Sequence, residues 1–248
     1  MRVVAATDVG RMRSGNQDAY VVEELRPQEG WALLAVADGM GGHAAGEVAS
    51  SLAVQILHEH VAAAQAAWAG APDAAAGLRE AALAAHAGIV AAQQANPAYA
   101  GMGTTLTAAV VAGPEVAIVH VGDSRAYRVG KDGEIEVLTE DHSVVGELVR
   151  AGRLTEEQAM HHPQRNLLTS ALGAPGEVRI DTRVATWEVG DILILCTDGL
   201  TNLVTAAELA EAARDPAGLD TLPARLVELA NDRGGYDNVT VVATVRER

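Results

Sequence analysis

Most apolar positions along the chain fall in short runs that end at turn-forming residues, a pattern typical of β-strands. Gly113-Pro114 and the KDG tripeptide at 131–133 mark tight turns between neighbouring runs. The pattern therefore predicts hairpin-linked strands along most of the chain. The predicted strands cover residues 2–7, 19–24, 32–37, 105–112, 116–121, 125–129, 135–139, 178–185, 192–197 and 239–245.

Two Ala-rich stretches on either side of residues 69–73 have helical rather than strand periodicity. The second is expected to stop at Asn96-Pro97, because proline cannot continue a helix. Two long helices joined by a short loop pack as an antiparallel pair. The apolar positions with helical spacing are Val48, Leu52, Ile56 and Val61 in the first stretch, and Leu78, Leu83, Ile89 and Val90 in the second.

Three more helices are predicted towards the C-terminus. Thr155 with Gln158, and Thr205 with Glu208, have the spacing of capping boxes at helix starts. A further helix is expected over residues 219–232, while residues 141–172 are irregular and polar. Strand and helix do not alternate regularly, so a parallel doubly wound sheet is not expected. The sequence favours an α+β fold, with two antiparallel sheets packed face to face and helices covering their outer faces.

Four of the apolar runs carry an aspartate at one end: Asp38 in LLAVADG, Asp123 in AIVHVGD, Asp198 in DILILCTDG and Asp237 in YDNVTVV. Taken singly, each is as well explained as a turn residue. If the fold brings them together, their charges repel strongly, and no Arg or Lys within the apolar runs could neutralise them. Clustered carboxylate oxygens suit Mg²⁺ or Mn²⁺. The pattern therefore predicts a hydrolase built around a metal cluster.

Net charge narrows the possible partners. The 33 acidic residues outnumber the 18 basic ones, for a formal charge of −15. Nucleic acid and anionic membrane surfaces are unexpected partners, because both need a basic face. A phosphorylated substrate remains compatible with this charge when metal ions reverse the local sign.

The single cysteine, Cys196, rules out an intramolecular disulfide and lies in a predicted buried strand. A phosphatase with a Cys nucleophile would need an arginine six positions later, where this chain has Asn202. No signal peptide or membrane-spanning run is visible. We expect a cytoplasmic protein, with the alternative that the chain is the cytoplasmic domain of a longer membrane-anchored protein.

The loop DVGRMRSGNQD near the N-terminus combines glycines with arginines and acidic residues. The guanidinium of Arg13 presents a rigid fork that matches phosphate oxygens. The alternative is a solvated loop with a weak Asp–Arg pair.

Eight blocks along the chain together resemble the bacterial metal-dependent serine/threonine protein phosphatases of the protein phosphatase 2C type. They occur in that family's order and reach from Asp8 to Val245. The blocks are RSGNQDAY, VADGMGGHAAGEVAS, GMGTTLTAA, HVGDSRAYR, LTEDHS, LTSALG, LCTDGL and DNVTVV.

The resemblance implies a four-layer α-β-β-α sandwich forming one catalytic domain over residues 1–248, with a flap at about 143–165 beside the active site. It implies two ions, and a third as in bacterial members. Asp38 would bridge two metals, with the Gly39 carbonyl on the first. Asp198 and Asp237 would bind the second metal, and Asp123 with Asp198 the third.

The resemblance also implies roles around the metals. Asp18 would hold metal-bound waters, and Arg13 would bind the substrate phosphate and be part of the catalytic site. Two metals that share a water lower its pKa, so that it can attack phosphorus directly. The candidate proton donor to the leaving group is His43, since Met40 occupies the position where eukaryotic members have histidine.

Two other histidines are expected to have structural roles. His120 lies in the middle of a strand and is expected to be a hydrogen-bonded core residue, whereas His142 is expected to brace its loop.

The sequence disfavours two other functions. Haloacid-dehalogenase phosphatases need a second aspartate two residues after the nucleophile, but Leu200 follows Asp198 and Met40 follows Asp38 at that spacing. A catalytically weak regulatory module of the same fold is disfavoured, because all the expected metal aspartates are present.

The predicted activity is metal-dependent hydrolysis of phosphoserine and phosphothreonine. The expected partners are phosphorylated proteins, including serine/threonine kinases and their substrates, and the expected state is a monomer. A dedicated phosphatase of one anti-sigma-antagonist partner is the alternative.

Overall fold

The computed structural model describes residues 2–41, 44–215 and 218–247. Its strands form two antiparallel sheets. The strands are β1 (Arg2–Asp8), β2 (Asp18–Arg26), β3 (Trp31–Met40), β4 (Gly103–Thr104), β5 (Leu106–Ala112), β6 (Glu115–Val121), β7 (Arg125–Val129), β8 (Ile135–Val137), β9 (Asp181–Thr186), β10 (Ile192–Cys196) and β11 (Val239–Val245).

One sheet has the order β1-β11-β10-β7-β8, and the other has the order β2-β3-β5-β6-β9, with β4 paired to β3. The α-helices are α1 (Ala44–Ala64), α2 (Ala71–Ala95), α3 (Val144–Arg150), α4 (Glu156–Met160), α5 (Asp198–Thr201), α6 (Ala206–Ala213) and α7 (Leu222–Asp232). None of the helices in the described ranges is long and apolar enough to cross a bilayer.

Successive side chains of the central strands point to opposite faces of the sheet and pack into different cores. In β3, Leu33 packs with α1 and α2, whereas Leu34 packs into the core between the two sheets. In β10, Leu195 enters that central core and Ile194 faces the core under α6 and α7. Because both faces are covered, these strands have continuous apolar sequences. The layer order is helix pair, sheet, sheet, helix pair, which confirms the predicted four-layer sandwich.

Both predicted capping boxes are present. Thr155 caps α4 and Thr205 caps α6, each with a reciprocal bond from the third helical residue. Three predictions of secondary structure need correction. The irregular segment contains α3, whose first turn is capped by Ser143. The predicted strand at 178–185 is instead β9 at Asp181–Thr186. The expected tight turn at Asp198 is the short helix α5.

Candidate metal centre

The aspartates at the strand ends converge at one end of the sandwich. Asp18 lies directly opposite Asp38 where β2 pairs with β3. The Asp38 carboxyl group experiences repulsion from Asp18, Asp198, Asp123 and Asp237. Residues that are far apart in sequence therefore form one acidic cluster, as the apolar-run pattern predicted.

Burial raises the pKa of four carboxyl groups in this cluster, and repulsion between them adds to the effect. The pKa of Asp18 rises to about 7, and those of Asp38 and Asp123 lie well above the ordinary aspartate value. The pKa of Asp198 is also raised. Asp38 and Asp198 lie close enough to share a hydrogen bond when one of them holds a proton. Without a cation, the cluster thus retains protons that free carboxyl groups would lose.

Unpartnered oxygens provide the test of whether this cluster suits a cation. Asp18 Oδ1 and Asp198 Oδ1 are buried, and no donor reaches either atom within the described residues. A cavity of about 30 Å³ lies between Asp123 and Asp198, with Asn202 also on its wall. Buried carboxylate oxygens without donors beside a small cavity are the ligands that hard divalent cations prefer. The residues present therefore fit such an ion.

The spacing of the carboxylates is looser than that of a closed all-protein metal cage. Across residues 2–41, 44–215 and 218–247, no group of three or more His, Cys, Asp or Glu side chains is arranged to hold an ion by itself. Mg²⁺ usually keeps several waters and takes only one or two carboxylates from the protein. Pairs of aspartates completed by water fit that preference.

Gly39 is required by close backbone packing at this site. A Cβ there would lie 2.1 Å from the Gly46 carbonyl oxygen and 2.6 Å from that of Gln17. Its own N–H donates to the Gln17 carbonyl at 3.1 Å. Any larger side chain would push the start of α1 and the residues before β2 away from Asp38.

Two threonines hold Asp18 in place. The hydroxyl groups of Thr197 and Thr240 donate to Asp18 Oδ2 at 2.9 and 2.7 Å. Thr240 belongs to β11 of the first sheet and Thr197 directly follows β10, whereas Asp18 belongs to the second sheet, so these bonds join the two sheets at the acidic cluster. Sequence reasoning missed both threonines, since neither stands out from ordinary strand composition.

Arg13 extends from the N-terminal loop towards the cluster. Its Nη2 donates to Asp237 Oδ2 at 2.7 Å, while 49% of the side chain remains exposed. The hydrogen bond to Asp237 raises the pKa of the Arg13 guanidinium, which stays charged. Arg13 is therefore a half-exposed cation at the edge of the buried acidic cluster, where a phosphate group could reach it.

Asn238 holds the loop that carries Arg13. Its side-chain amide donates to the carbonyls of Val9 and Gly15 at 2.9 Å each, and its Oδ1 accepts from the Gln17 N–H at 2.8 Å. No local sequence pattern marks Asn238 for this role. Its actual contacts are with a loop more than two hundred residues earlier in the chain.

His142 has a structural role, as expected, and connects its own loop to the loop that carries Asp123. Its backbone N–H donates to the Gly122 carbonyl at 2.6 Å, and its Nδ1 accepts from the Gly122 N–H at 3.2 Å. Its Nε2 donates to Asp181 at 3.0 Å. The buried His120 is hydrogen-bonded to Thr107 at 2.9 Å, which confirms it as a core residue. His43 lies outside the described residues.

Comparison with known proteins agrees with this geometry. The sequence pattern of the protein phosphatase 2C family matches residues 11–239. The chain belongs to this family. It is 40% identical to the serine/threonine phosphatase stp of Listeria innocua over 246 residues, covering 97% of this chain and 94% of the relative. It is also 42% identical to PstP of Mycobacterium tuberculosis over 243 residues, covering 98% of this chain and 44% of PstP.

Solved structures give the same result. The catalytic domain of the serine/threonine phosphatase PstP, in complex with two manganese ions, superposes with a TM-score of 0.84 at 39% identity, covering 99% of this chain and 98% of that one. The chain is a serine/threonine protein phosphatase of a metal-dependent family. The family assignment and the enzyme class predicted from the eight sequence blocks are thereby confirmed.

Proposed function

We propose that this phosphatase hydrolyses phosphoserine and phosphothreonine in proteins at the acidic cluster, using Mn²⁺ or Mg²⁺. The observation that supports it is the convergence of buried aspartates with unpartnered oxygens on Asp18 and Asp198. Asp38, the Gly39 carbonyl, Asp198 and Asp237 would hold two ions. Divalent ions at such a site lower the pKa of a shared water and offset charge on the phosphate.

A third ion would be held by Asp123 and Asp198. The small cavity that both side chains line supports this assignment. Burial, followed by repulsion from Asp198 and Asp141, raises the pKa of Asp123 although Arg125 opposes the shift, so a further cation there would be favourable. Asp18, fixed by its two threonines, would accept hydrogen bonds from waters in the site.

Proton transfer to the departing serine or threonine oxygen is assigned to His43, on the family resemblance described above. Imidazole is the usual side chain for this task near neutral pH. The assignment fails if His43→Ala leaves the dependence of the rate on leaving-group pKa unchanged.

We further propose one catalytic domain over residues 1–248, a cytoplasmic location and a monomeric state. The apolar core shared by both sheets supports a single domain. A formal charge of −15 supports a monomer, because copies of the chain repel one another. The proposed substrates are proteins phosphorylated by serine/threonine kinases, and the kinases themselves.

Chelation provides the direct test of this function. With Mn²⁺ present, the purified protein should hydrolyse p-nitrophenyl phosphate and phosphothreonine peptides, and EDTA should abolish both activities. Addition of excess Mn²⁺ should restore them. Activity that survives EDTA and dialysis would contradict a metal-based site.

Removal of the Arg13 guanidinium should weaken substrate binding more than turnover. We expect Arg13→Ala to raise KM about tenfold, the usual size of one charge-assisted hydrogen bond, with a smaller change in kcat. Arg11→Ala is the matched control, because Arg11 lies in the same loop but does not line the cavity that Arg13 and Asp237 share. Equal effects of the two substitutions would show that loop charge, rather than a phosphate contact, is responsible.

A further inference from the structure

A large cavity separates the flap helices from the body of the protein. It has a volume of about 640 Å³, within the range of about 300–1,000 Å³ for known ligand sites. We call it the flap cavity. Its walls come from α3 and α4 on one side and from β8, α5 and the start of α6 on the other. Its aliphatic wall is made by Val137, Val145, Val149, Ala159, Met160, Val204 and Ala206.

The flap cavity is continuous with the acidic cluster. Several residues line both the flap cavity and the small cavity between Asp123 and Asp198. A peptide bound at the acidic cluster can therefore extend across the mouth of the flap cavity. The shared lining residues are Arg125, Asp141, Val145, Glu156, Ala159, Met160 and Thr201.

Charges on the rim restrict what the cavity can accept. Arg125 forms a two-bond pair with Asp141, at 2.9 and 2.7 Å, and Arg150 donates to the Asp141 carbonyl at 2.8 Å. Both arginines are thus already engaged with the protein. Glu156 also lies 3.6 Å from Arg125, but its carboxylate is exposed, as is that of Glu157. Because acidic side chains outnumber the two arginines in the lining, the rim favours a cationic neighbour over an anionic one.

A second cavity, of about 540 Å³, shares Met160 with the flap cavity and reaches Arg13 and Asp237. Arg165 and Arg233 also line it. The two neighbouring cavities therefore differ, since the second has three arginines on its wall whereas the flap cavity has an aliphatic wall and an acidic rim. Such asymmetry can fix the direction in which a peptide binds.

We propose that the flap cavity is a specificity subsite that receives an aliphatic side chain of the phosphoprotein substrate, next to a basic residue of the same segment. The inference rests on the proposed function and names the class of substrate that the site selects. Continuity with the acidic cluster, the aliphatic wall and the acidic rim each support this occupant. A segment with an acidic residue at that position would be rejected, because its carboxylate would be desolvated beside Glu156 and Glu157.

The test is a positional scan of phosphothreonine peptides. Leu, and separately Lys, is moved through every position of an Ala-Gly-Ser background, and kcat/KM is measured with Mn²⁺ present. We expect Leu to raise kcat/KM about tenfold at one position on one side of the phosphothreonine, the low end of what an apolar pocket discriminates. Lys next to that position should raise kcat/KM, and Glu in the same place should lower it.

Substitutions in the flap cavity test whether this cavity causes the preference for Leu. Val137→Gln changes a valine that is already 42% exposed, so the fold should tolerate it, and Val149→Gln tests the flap side. Each should lower the ratio of kcat/KM for Leu and Ala peptides severalfold. The control Val184→Gln changes a valine on β9 that is 40% exposed and should keep the ratio. Glu157→Lys should remove the advantage of Lys.

If the enzyme is active but kcat/KM does not depend on the position of Leu, the proposed subsite is wrong. A Leu preference that survives in both cavity variants would also overturn it. If the wild-type protein with Mn²⁺ hydrolyses neither p-nitrophenyl phosphate nor any peptide, the proposed function fails and the subsite fails with it.

Discussion

Replacement of Asp38 by asparagine should lower phosphatase activity by about a thousandfold and raise the thermal stability of the metal-free protein. The loss follows because Asp38 is the carboxylate that both main ions are proposed to share. The gain follows because burial, and then repulsion from four other acidic groups, raises the pKa of Asp38, so that folding must either bury a charge or take up a proton there. Asparagine keeps the shape and avoids both costs.

Paired melting curves and kinetics measure both effects. In EDTA, Asp38→Asn should melt at a higher temperature than the wild type, whereas Mn²⁺ should stabilise the wild type much more than the variant. The matched control is Asp191→Asn, at a buried aspartate that is 3.1 Å from Arg128 and distant from the cluster. That substitution should destabilise the protein and leave kcat unchanged, because it breaks a paired charge.

Two other results would change the role assigned to Asp38. If Asp38→Asn lowers both activity and metal-free stability, then Asp38 acts mainly as a structural acceptor, in the same way as Asp191. Retention of full activity would remove Asp38 from the proposed metal ligands.

The strands of the two central layers could be predicted from sequence because burial on both faces leaves continuous apolar runs. In β3, the neighbours Leu33 and Leu34 face opposite cores, so each is apolar for a separate reason. The flap helix α3 could not be predicted, because seven residues with few buried positions leave little periodicity. The helix α5 was missed for the same reason, since its four residues make a single turn.

The acidic residues of the site could be predicted because an aspartate is conspicuous at the end of an apolar strand. The residues that orient them could not. Thr197 and Thr240 reach Asp18 across the two sheets, and Asn238 reaches a loop at the other end of the chain. Such contacts depend on sheet packing and on pairings between distant strands. A single sequence carries no local pattern that records them.

Binding of Mn²⁺ near neutral pH should release protons. Burial raises the pKa of Asp18 to about 7 and also raises those of Asp38, Asp123 and Asp198, so the metal-free cluster retains protons that an incoming cation must displace. Affinity for Mn²⁺ should therefore fall steeply as the pH is lowered from about 8 to about 6.

The stability of the metal-free protein should follow the opposite trend. A carboxyl group whose pKa is raised by folding contributes stability at low pH that is lost as the pH rises through its folded pKa. For Asp18 that loss begins near its ordinary pKa of about 4 and is complete above about 7, and the raised pKa values of Asp38 and Asp123 extend it to higher pH. Without metal the protein should therefore be less stable at pH 8 than at pH 6, and with saturating Mn²⁺ this difference should be reduced or reversed.

Calorimetry in two buffers with different ionisation enthalpies counts the protons released per Mn²⁺ bound. Asp18→Asn should lower that number, because it removes one of the retained protons. Glu208→Gln is the control: hydrogen bonds from Arg233 lower the pKa of Glu208 to about 2, so this group holds no proton near neutral pH. A proton count of zero at neutral pH, with an affinity independent of pH, would mean that the aspartates are already ionised before the metal arrives. The repulsion that makes this cluster a cation site would then be much weaker than its burial implies.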